Sequence, residues 1–207
     1  WMIEDLAKIC HEEGVEIRLN TPATADAIKA LAPCAVIAAT GSRPIKPRFA
    51  GNCPAEEILT FEDILSGKAE LKDCSVAVIG SGLTGLETAH ALCENGCKVT
   101  IVEMANEVAP GTWMQHKDDI LPKLKSAGAK IRTDEKLCEV YIDRIVTENV
   151  KTKQRTDIPC DRVVLSLGSR PDASVVEELK RSSFPPIVIG DANRVGKIAD
   201  ATKAAYK

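Results

Sequence analysis

The sequence has no excess of basic residues. Its 27 lysines and arginines are outnumbered by 30 aspartates and glutamates, which gives a net charge of −3 at neutral pH. Proteins that bind nucleic acid or an anionic membrane surface usually carry a positive patch that meets the phosphates. The composition therefore offers no electrostatic support for either kind of partner.

Long apolar runs are also lacking. No uninterrupted apolar segment approaches the roughly 20 residues that a membrane-spanning helix needs. The first residues lack the charged and apolar regions of a signal peptide. We therefore expect a protein without membrane contact, located in the cytoplasm. Hydrophobic residues make up 44% of the chain, which is enough to build a packed core.

The eight cysteines include no Cys-x-x-Cys pair. Most of them lie within or beside apolar segments, and a chain of 207 residues is long enough to fold without disulfides. We expect small buried thiols in a reducing cytosol, rather than a disulfide framework or metal ligands. We predict no metal site, and we nominate no side chain as a catalytic acid or base.

A glycine-rich segment directly after an apolar strand is the strongest functional signal. Gly80, Gly82 and Gly85 follow the run Val76–Ile79 with the spacing Gly-x-Gly-x-x-Gly. The first glycine allows a sharp turn, the second admits a pyrophosphate to the helix amides, and the third lets the helix pack on the strand. The predicted nucleotide loop comprises Gly80, Ser81, Gly82, Leu83, Thr84 and Gly85.

A carboxylate completes this fingerprint one strand later. Glu103 follows the strand Lys98–Val102 and can accept hydrogen bonds from the ribose hydroxyls. It would also repel a 2′-phosphate, and Met104 and Ala105 supply no arginine to bind one. We therefore expect NAD(H) rather than NADP(H). A Rossmann-like methyltransferase, which also presents an acid to a ribose, is the alternative that the fingerprint alone leaves open.

The periodicity of apolar residues predicts an α/β chain around the fingerprint. Helices are predicted at 2–13, 82–95 and 113–126, and strands at 15–19, 34–39, 98–102 and 163–167. The helix at 113–126 is expected to be irregular near Pro122. The alternating stretch 136–158, broken by polar turns, predicts a small antiparallel meander.

A short internal repeat lies on both sides of the fingerprint. Residues 36–44 (VIAATGSRP) are echoed by residues 164–171 (VLSLGSRP). In each copy a buried strand ends at glycine, and proline forces an extended exit. One interpretation is coincidence between two strand-ending turns. The other is a chain that leaves one nucleotide domain, builds a second, and returns to the first.

Several motifs together resemble a known family. Ala39-Thr40-Gly41, the Gly80 fingerprint with Glu87, the turn Gly168–Pro171 and Ile189-Gly190-Asp191 are similar to motifs of the two-dinucleotide-fold flavoprotein disulfide reductases. Within that family the chain is most similar to the C-terminal flavoprotein portion of NADH:flavin oxidoreductases of the old yellow enzyme type. That branch includes 2,4-dienoyl-CoA reductase and 2-enoate reductase. A methyltransferase has no use for the Thr-Gly and Gly-Asp turns, so the motifs favour the flavoprotein.

The resemblance implies two cofactors. The Gly80 loop, Glu87 and Glu103 would serve NAD(H), and Thr40, Gly41, Gly190 and Asp191 would line an FAD site. Gly168 is a further predicted cofactor-binding residue. In such proteins the nicotinamide passes a hydride to the flavin, and the protein aligns the cofactors and excludes water. The implied function is that of an NADH:flavin oxidoreductase that delivers electrons to a substrate in a separate flavin barrel.

The sequence departs from this family in one respect. A second glycine fingerprint for the FAD pyrophosphate is absent before Gly80, and so are the barrel and the cysteine cluster of an iron–sulfur centre. We therefore expect the chain to begin inside the FAD domain and to bind FAD weakly, with the missing half-domain and the barrel as its partners.

The predicted fold is α/β, with a Rossmann-like NAD(H)-binding domain (70–168) inserted into a truncated FAD-binding domain (1–60 and 169–207). Two further functions stay open at this point. The chain could be a nucleotide-binding module without catalysis, or a self-sufficient NADP-dependent reductase.

Overall fold

The structure is a computed structural model that describes residues 2–181 and 185–206. The helices are α1 (Met2–Glu12), α2 (Ala25–Ala30), α3 (Phe61–Leu65), α4 (Leu83–Glu94), α5 (Met114–Ser126), α6 (Ser174–Lys180) and α7 (Ile198–Ala205). The strands are β1 (Ile37–Ala38), β2 (Ser42–Pro44), β3 (Ile58–Thr60), β4 (Ser75–Ile79), β5 (Lys98–Val102), β6 (Lys130–Arg132), β7 (Glu135–Val140), β8 (Arg144–Asn149), β9 (Arg155–Pro159), β10 (Arg162–Leu165), β11 (Ser169–Pro171) and β12 (Ile187–Val188).

The chain forms two compact units. The first unit contains the residues up to Gly41 and those from Asp172 onward, and the second contains Ser42–Pro171. Residues 42–60, which the domain prediction assigns to the first domain, lie in the second unit. The reason is that β3 pairs with β10 in the main sheet of that unit. The assignment of one nucleotide to each unit stays a prediction.

The main sheet of the second unit is parallel throughout, in the order β3-β10-β4-β5-β6. The predicted α/β class with parallel strands is therefore confirmed. β4 lies at its centre between β10 and β5, and these strands have few polar side chains, as expected for strands that are covered on both faces. Since all five strands point the same way, their carboxyl ends meet along one edge of the sheet.

Successive residues of β4 point to opposite faces and build two cores. Val76 and Val78 belong to the core that α4 and α5 cover, whereas Ala77 and Ile79 belong to the core on the other face. The second core is closed by side chains of the three-stranded antiparallel meander β7-β8-β9, including Leu137, Val140 and Ile145. The meander predicted at 136–158 is confirmed. A two-stranded antiparallel ribbon, β2 with β11, completes this unit.

In the first unit, β1 pairs in parallel with β12, which joins two segments that are far apart in sequence. Val176 and Leu179 of α6 are buried, but α1, α2 and α7 contribute no buried residue. Large apolar side chains of α1 are exposed, including Ile3 at 78% and Leu6 at 53%. The first unit therefore has much less core than the second.

Two expectations need correction. The strand predicted at 15–19 is wrong, because these residues form no ladder with another described strand and Val15, Ile17 and Leu19 are exposed. The prediction that the cysteines are buried is only partly right, because Cys97 and Cys160 are buried whereas Cys34 is exposed. The helix at 113–126 is confirmed as α5, and it continues through Pro122.

None of the helices in the described ranges combines the length and the apolar character needed to cross a membrane.

Candidate functional site

Two glycines of the fingerprint are required by close packing. Gly80 follows β4 with a φ of +102°, and a Cβ there would overlap the backbone carbonyl oxygen of Ser166. A Cβ on Gly85 would overlap the carbonyl oxygen of Gly80 and lie 3.2 Å from Ser166 Oγ. The turn after β4, the start of α4 and the end of β10 therefore approach each other as closely as backbone allows.

Gly82 has a different environment from its two neighbours. It is the N-cap of α4, its φ is −55°, and no heavy atom lies within 4 Å of the position a Cβ would take. The first backbone N–H groups of a helix have no partner within the helix, and its N-terminus carries a partial positive charge. The first turn of α4 contains no acidic residue. Gly82 thus leaves open space in front of amides that suit an anion.

Glu103 and Ser81 are joined by hydrogen bonds. Ser81 N and Ser81 Oγ both donate to Glu103 Oε2, each at 2.8 Å, and Ala105 N donates to Glu103 Oε1 at 2.8 Å. Ser81 is completely buried, and its Oγ also accepts from Ala109 N at 3.1 Å. Ser81 therefore ties the glycine loop to Glu103 and is not presented to solvent. This internal role of Ser81 was not expected from the sequence.

These contacts affect the charge of Glu103. Burial would raise its pKa, but hydrogen bonds from Ala105 and Ser81 outweigh that effect and lower the pKa below its usual value of 4.5. The carboxylate is therefore ionised at neutral pH and held in one orientation by the loop.

A cleft of about 460 Å³ opens at this edge of the sheet. Its lining includes Gly80, Gly82, Glu103 and Gly168 of the predicted site, at the carboxyl ends of β4, β5 and β10. Ligands of parallel α/β sheets bind at this edge. Ten more residues line it: Pro47, Phe49, Ile79, Val102, Met104, Glu135, Lys136, Leu137, Ser166 and Leu167.

Most of these additional residues were missed by sequence reasoning. Pro47 and Phe49 belong to the segment that the domain prediction gives to the first domain. Glu135 and Lys136 could have been found, because they follow the short strand β6 and so must lie at the carboxyl edge of the sheet. Leu137 belongs to both the cleft and the meander core, which only the tertiary structure reveals.

Glu87 and Leu83 lie elsewhere. Both line a separate cleft of about 370 Å³ beside α4 and α5, together with His90, His116 and Lys123. Thr84 lies in the first turn of α4, where its carbonyl accepts from Thr88 Oγ1 at 2.7 Å. The structure does not bring Glu87 to the cleft that contains Glu103.

The four residues predicted for FAD meet in the first unit. Because β1 and β12 are parallel neighbours, Thr40 and Gly41 follow one strand, and Gly190 and Asp191 follow the other, at the same edge. Gly41 and Gly190 have positive φ values of +75° and +58°. Thr40 Oγ1 donates to the Asp172 carbonyl at 3.1 Å, and Asp191 Oδ1 accepts from Gly196 N at 3.1 Å.

Comparison with known proteins agrees with these observations. A family model described as pyridine nucleotide-disulphide oxidoreductase matches residues 8–183. An NADH oxidase of Thermoanaerobacter brockii is 37% identical over 211 residues, which span 100% of this chain and 32% of that protein. A bilirubin reductase of Mediterraneibacter gnavus is 31% identical over 201 residues, covering 94% of this chain and 30% of the relative.

The fold is shared with a solved structure. A complex of 2-naphthoyl-CoA reductase with 2-naphthoyl-CoA superposes on 95% of this chain with a TM-score of 0.84 at 28% identity, and 30% of that protein is covered. The chain thus spans about a third of the length of the curated relatives it matches. It belongs to the pyridine nucleotide-disulphide oxidoreductase family, whose members bind FAD and NAD(P), and it corresponds to the nucleotide-binding region of flavin-dependent reductases.

Proposed function

We propose that the second unit binds NAD(H) in the cleft at the ends of β4, β5 and β10, and that the protein delivers electrons from NADH to FAD in a flavin-dependent oxidoreductase. The observation that carries this proposal is the open space at Gly82. It lies at the N-terminus of α4 and lines the same cleft as the ionised Glu103. A pyrophosphate and a ribose hydroxyl need these two groups next to each other.

Different residues of the cleft would contact different parts of the dinucleotide. The amides after Gly82 would hold the pyrophosphate, and Glu103 would accept from a ribose hydroxyl and repel a 2′-phosphate. Gly168 lies at the end of β10, on the other side of β4 from Glu103, and its φ is +82°. Sheet order therefore favours the nicotinamide half near Gly168 and the adenosine half near Glu103.

The FAD site is proposed in the first unit, at the edge formed by Thr40, Gly41, Gly190 and Asp191. When both cofactors are bound, NADH supplies a hydride that a flavin can accept. The chain's own residues orient the dinucleotide and keep water away, for which Pro47, Phe49, Leu137 and Leu167 provide apolar walls. We assign no acid or base to the protein in this step.

The first unit also has a surface that suits further protein. Apolar side chains are exposed on α1 and at Val15, Ile17 and Leu19, and extended apolar patches of this kind usually pack against a partner. We propose that they contact the rest of the FAD-binding domain in a longer oxidoreductase. This arrangement would leave the final electron acceptor to a separate barrel.

Nucleotide titration tests the NAD(H) site. NADH should bind more tightly than NADPH, and Glu103→Ala should weaken NADH by roughly 1.5–3 kcal/mol, the range for a hydrogen bond to a charged group. Glu87→Gln is the matched control, because it removes an exposed carboxylate that lies outside the cleft. Tighter binding of NADPH than of NADH would contradict the role of Glu103. A loss of affinity in the Glu87 variant would restore the role that the resemblance implies for it.

The visible absorbance of the protein mixed with FAD tests the electron transfer. Bleaching of the flavin band on addition of NADH supports the oxidoreductase. Tight NADH binding without flavin reduction would instead support a nucleotide-binding module without catalysis.

A further inference from the structure

An arginine lies beside the expected ribose position, where the sequence around Glu103 indicated none. Arg132 ends β6 and pairs with Val102, the residue before Glu103. Glu103 N donates to the Arg132 carbonyl at 2.8 Å, and Glu135 N donates to the Glu103 carbonyl at 2.9 Å. The backbone of Glu103 is therefore bonded through its N–H to Arg132 and through its carbonyl to Glu135, both in the neighbouring segment.

Arg132 also shares a face of the sheet with the cleft. Register partners on parallel strands point the same way, and Val102, which faces Arg132 in the register, lines the cleft. In NADP-dependent Rossmann folds an arginine near the ribose acid binds the 2′-phosphate. Arg132 lies one strand away from Glu103, and its guanidinium contacts Glu135, which lines the cleft.

The guanidinium is held by a carboxylate. Arg132 Nη2 donates to Glu135 Oε1 at 3.0 Å, and Glu135 is only 7% exposed and itself lines the cleft. Arg132 Nε and Glu135 Oε2 have no hydrogen-bond partner among the described residues. The pair thus cancels the charge of Arg132 but leaves some of its five N–H donors uncommitted.

We propose that Glu135 determines cofactor specificity by neutralising Arg132, so that the guanidinium nearest to Glu103 is not free to bind the 2′-phosphate of NADPH. This inference rests on the proposed NAD(H) site and adds a second acidic residue to it. With Glu135 in place, a 2′-phosphate meets the carboxylates of Glu103 and Glu135. Without it, the phosphate meets a guanidinium that can donate two hydrogen bonds in parallel.

The Arg132 side chain is 38% exposed, which favours survival of the fold when Glu135 is changed. Its charge can be hydrated and is not left in a dry core, where an unpaired charge is strongly destabilising. Glu135→Gln keeps the shape of the side chain, and Glu135→Ala is the second variant if glutamine prevents folding.

The test compares the Kd values of NADH and NADPH for the whole chain. Glu135→Gln should lower the Kd of NADPH relative to the Kd of NADH roughly tenfold, the effect of a charge-assisted contact. The gain should vanish when Arg132→Gln is added. It should persist when the exposed Lys136, a cation that lines the cleft, is changed to Gln.

The outcomes separate this inference from the proposed function. Normal NADH binding with unchanged NADPH affinity in Glu135→Gln overturns the inference alone, and so does a gain that survives Arg132→Gln. Failure of the unmodified protein to bind NADH overturns the proposed function, and the inference with it.

Discussion

Gly82 and Gly85 are three residues apart in one loop, but they lack a Cβ for different reasons. Gly85 has no room for one, because the backbone of Gly80 occupies the space. Gly82 has room, and we propose that a nucleotide phosphate occupies it. The sequence pattern gives both positions the same residue, and only the structure separates the closely packed position from the open one.

Substitution by alanine should separate these two roles. Gly85→Ala gains about 1 kcal/mol of helix propensity, but overlap with backbone should cost about 1–3 kcal/mol and prevail. Gly82→Ala should change the free energy of unfolding by less than about 1 kcal/mol and weaken NADH binding tenfold or more, about 1.4 kcal/mol. Urea denaturation and NADH titration of both variants check this. Loss of stability in Gly82→Ala without loss of affinity would contradict it.

Glu103 should make stability depend on pH in the acidic range. Its pKa in the folded protein lies below the usual value of 4.5, so its stabilising contribution is complete above that value and is lost as the pH falls through the lower, folded pKa. Glu103→Gln should therefore be less stable than the unmodified protein at neutral pH, and the difference should shrink below pH 4.5. Unfolding in urea at several pH values measures it. The exposed Glu107, changed to Gln, is the control.

The sequence was sufficient to predict the glycine loop and Glu103, because both belong to one continuous strand-helix-strand segment. It did not predict that Ser81 would hold Glu103, nor that Arg132 and Glu135 would flank it. The Ser81 contact depends on the pairing of β4 with β5, and the contacts of Arg132 and Glu135 depend on the pairing of β5 with β6. A local pattern therefore predicts which residues of one segment lie together, whereas contacts between separate elements require the tertiary structure.

Among the elements, the meander and the strand predicted at 15–19 show what alternation can and cannot predict. Both stretches alternate apolar and polar residues. β7, β8 and β9 pair with each other and have the main sheet to cover, whereas residues 15–19 find no partner strand within the described ranges. Alternating apolar and polar residues give a segment the tendency to form a strand. The strand forms only where a neighbouring strand can complete its backbone hydrogen bonds.

The meander should stabilise the second unit through its middle strand. Ile145 of β8 is completely buried in the core that the meander shares with the main sheet. Ile145→Ala should lower the free energy of unfolding by about 2–5 kcal/mol, because a cavity remains in a packed interior. Ile142→Ala removes the same atoms from the preceding turn, where the side chain is 62% exposed, and should have little effect. Equal losses in the two variants, measured by urea denaturation, would show that the meander does not pack as described.

At the scale of the whole molecule, the two units differ in how firmly their helices are held. α4 buries five residues in the second unit, whereas α1 buries none in the first. Amide protons of α4 should therefore exchange only when a large part of the second unit unfolds. Those of α1 should exchange through local fraying of the helix. Hydrogen exchange followed by mass spectrometry should find α1 exchanged well before α4. Similar protection of the two helices would contradict this difference.

The pairing of β1 with β12 has a consequence for how the chain folds. Ile37 and Ile187 are register partners although about 150 residues separate them, and closing an unstructured loop of that size costs roughly 4 kcal/mol of chain entropy. The cost falls once β2 and β11 have paired, because that ribbon brings together the two chain segments that lead to Gly41 and Asp172. The inserted unit should therefore fold first, and its completion turns a distant strand pairing into a nearly local one.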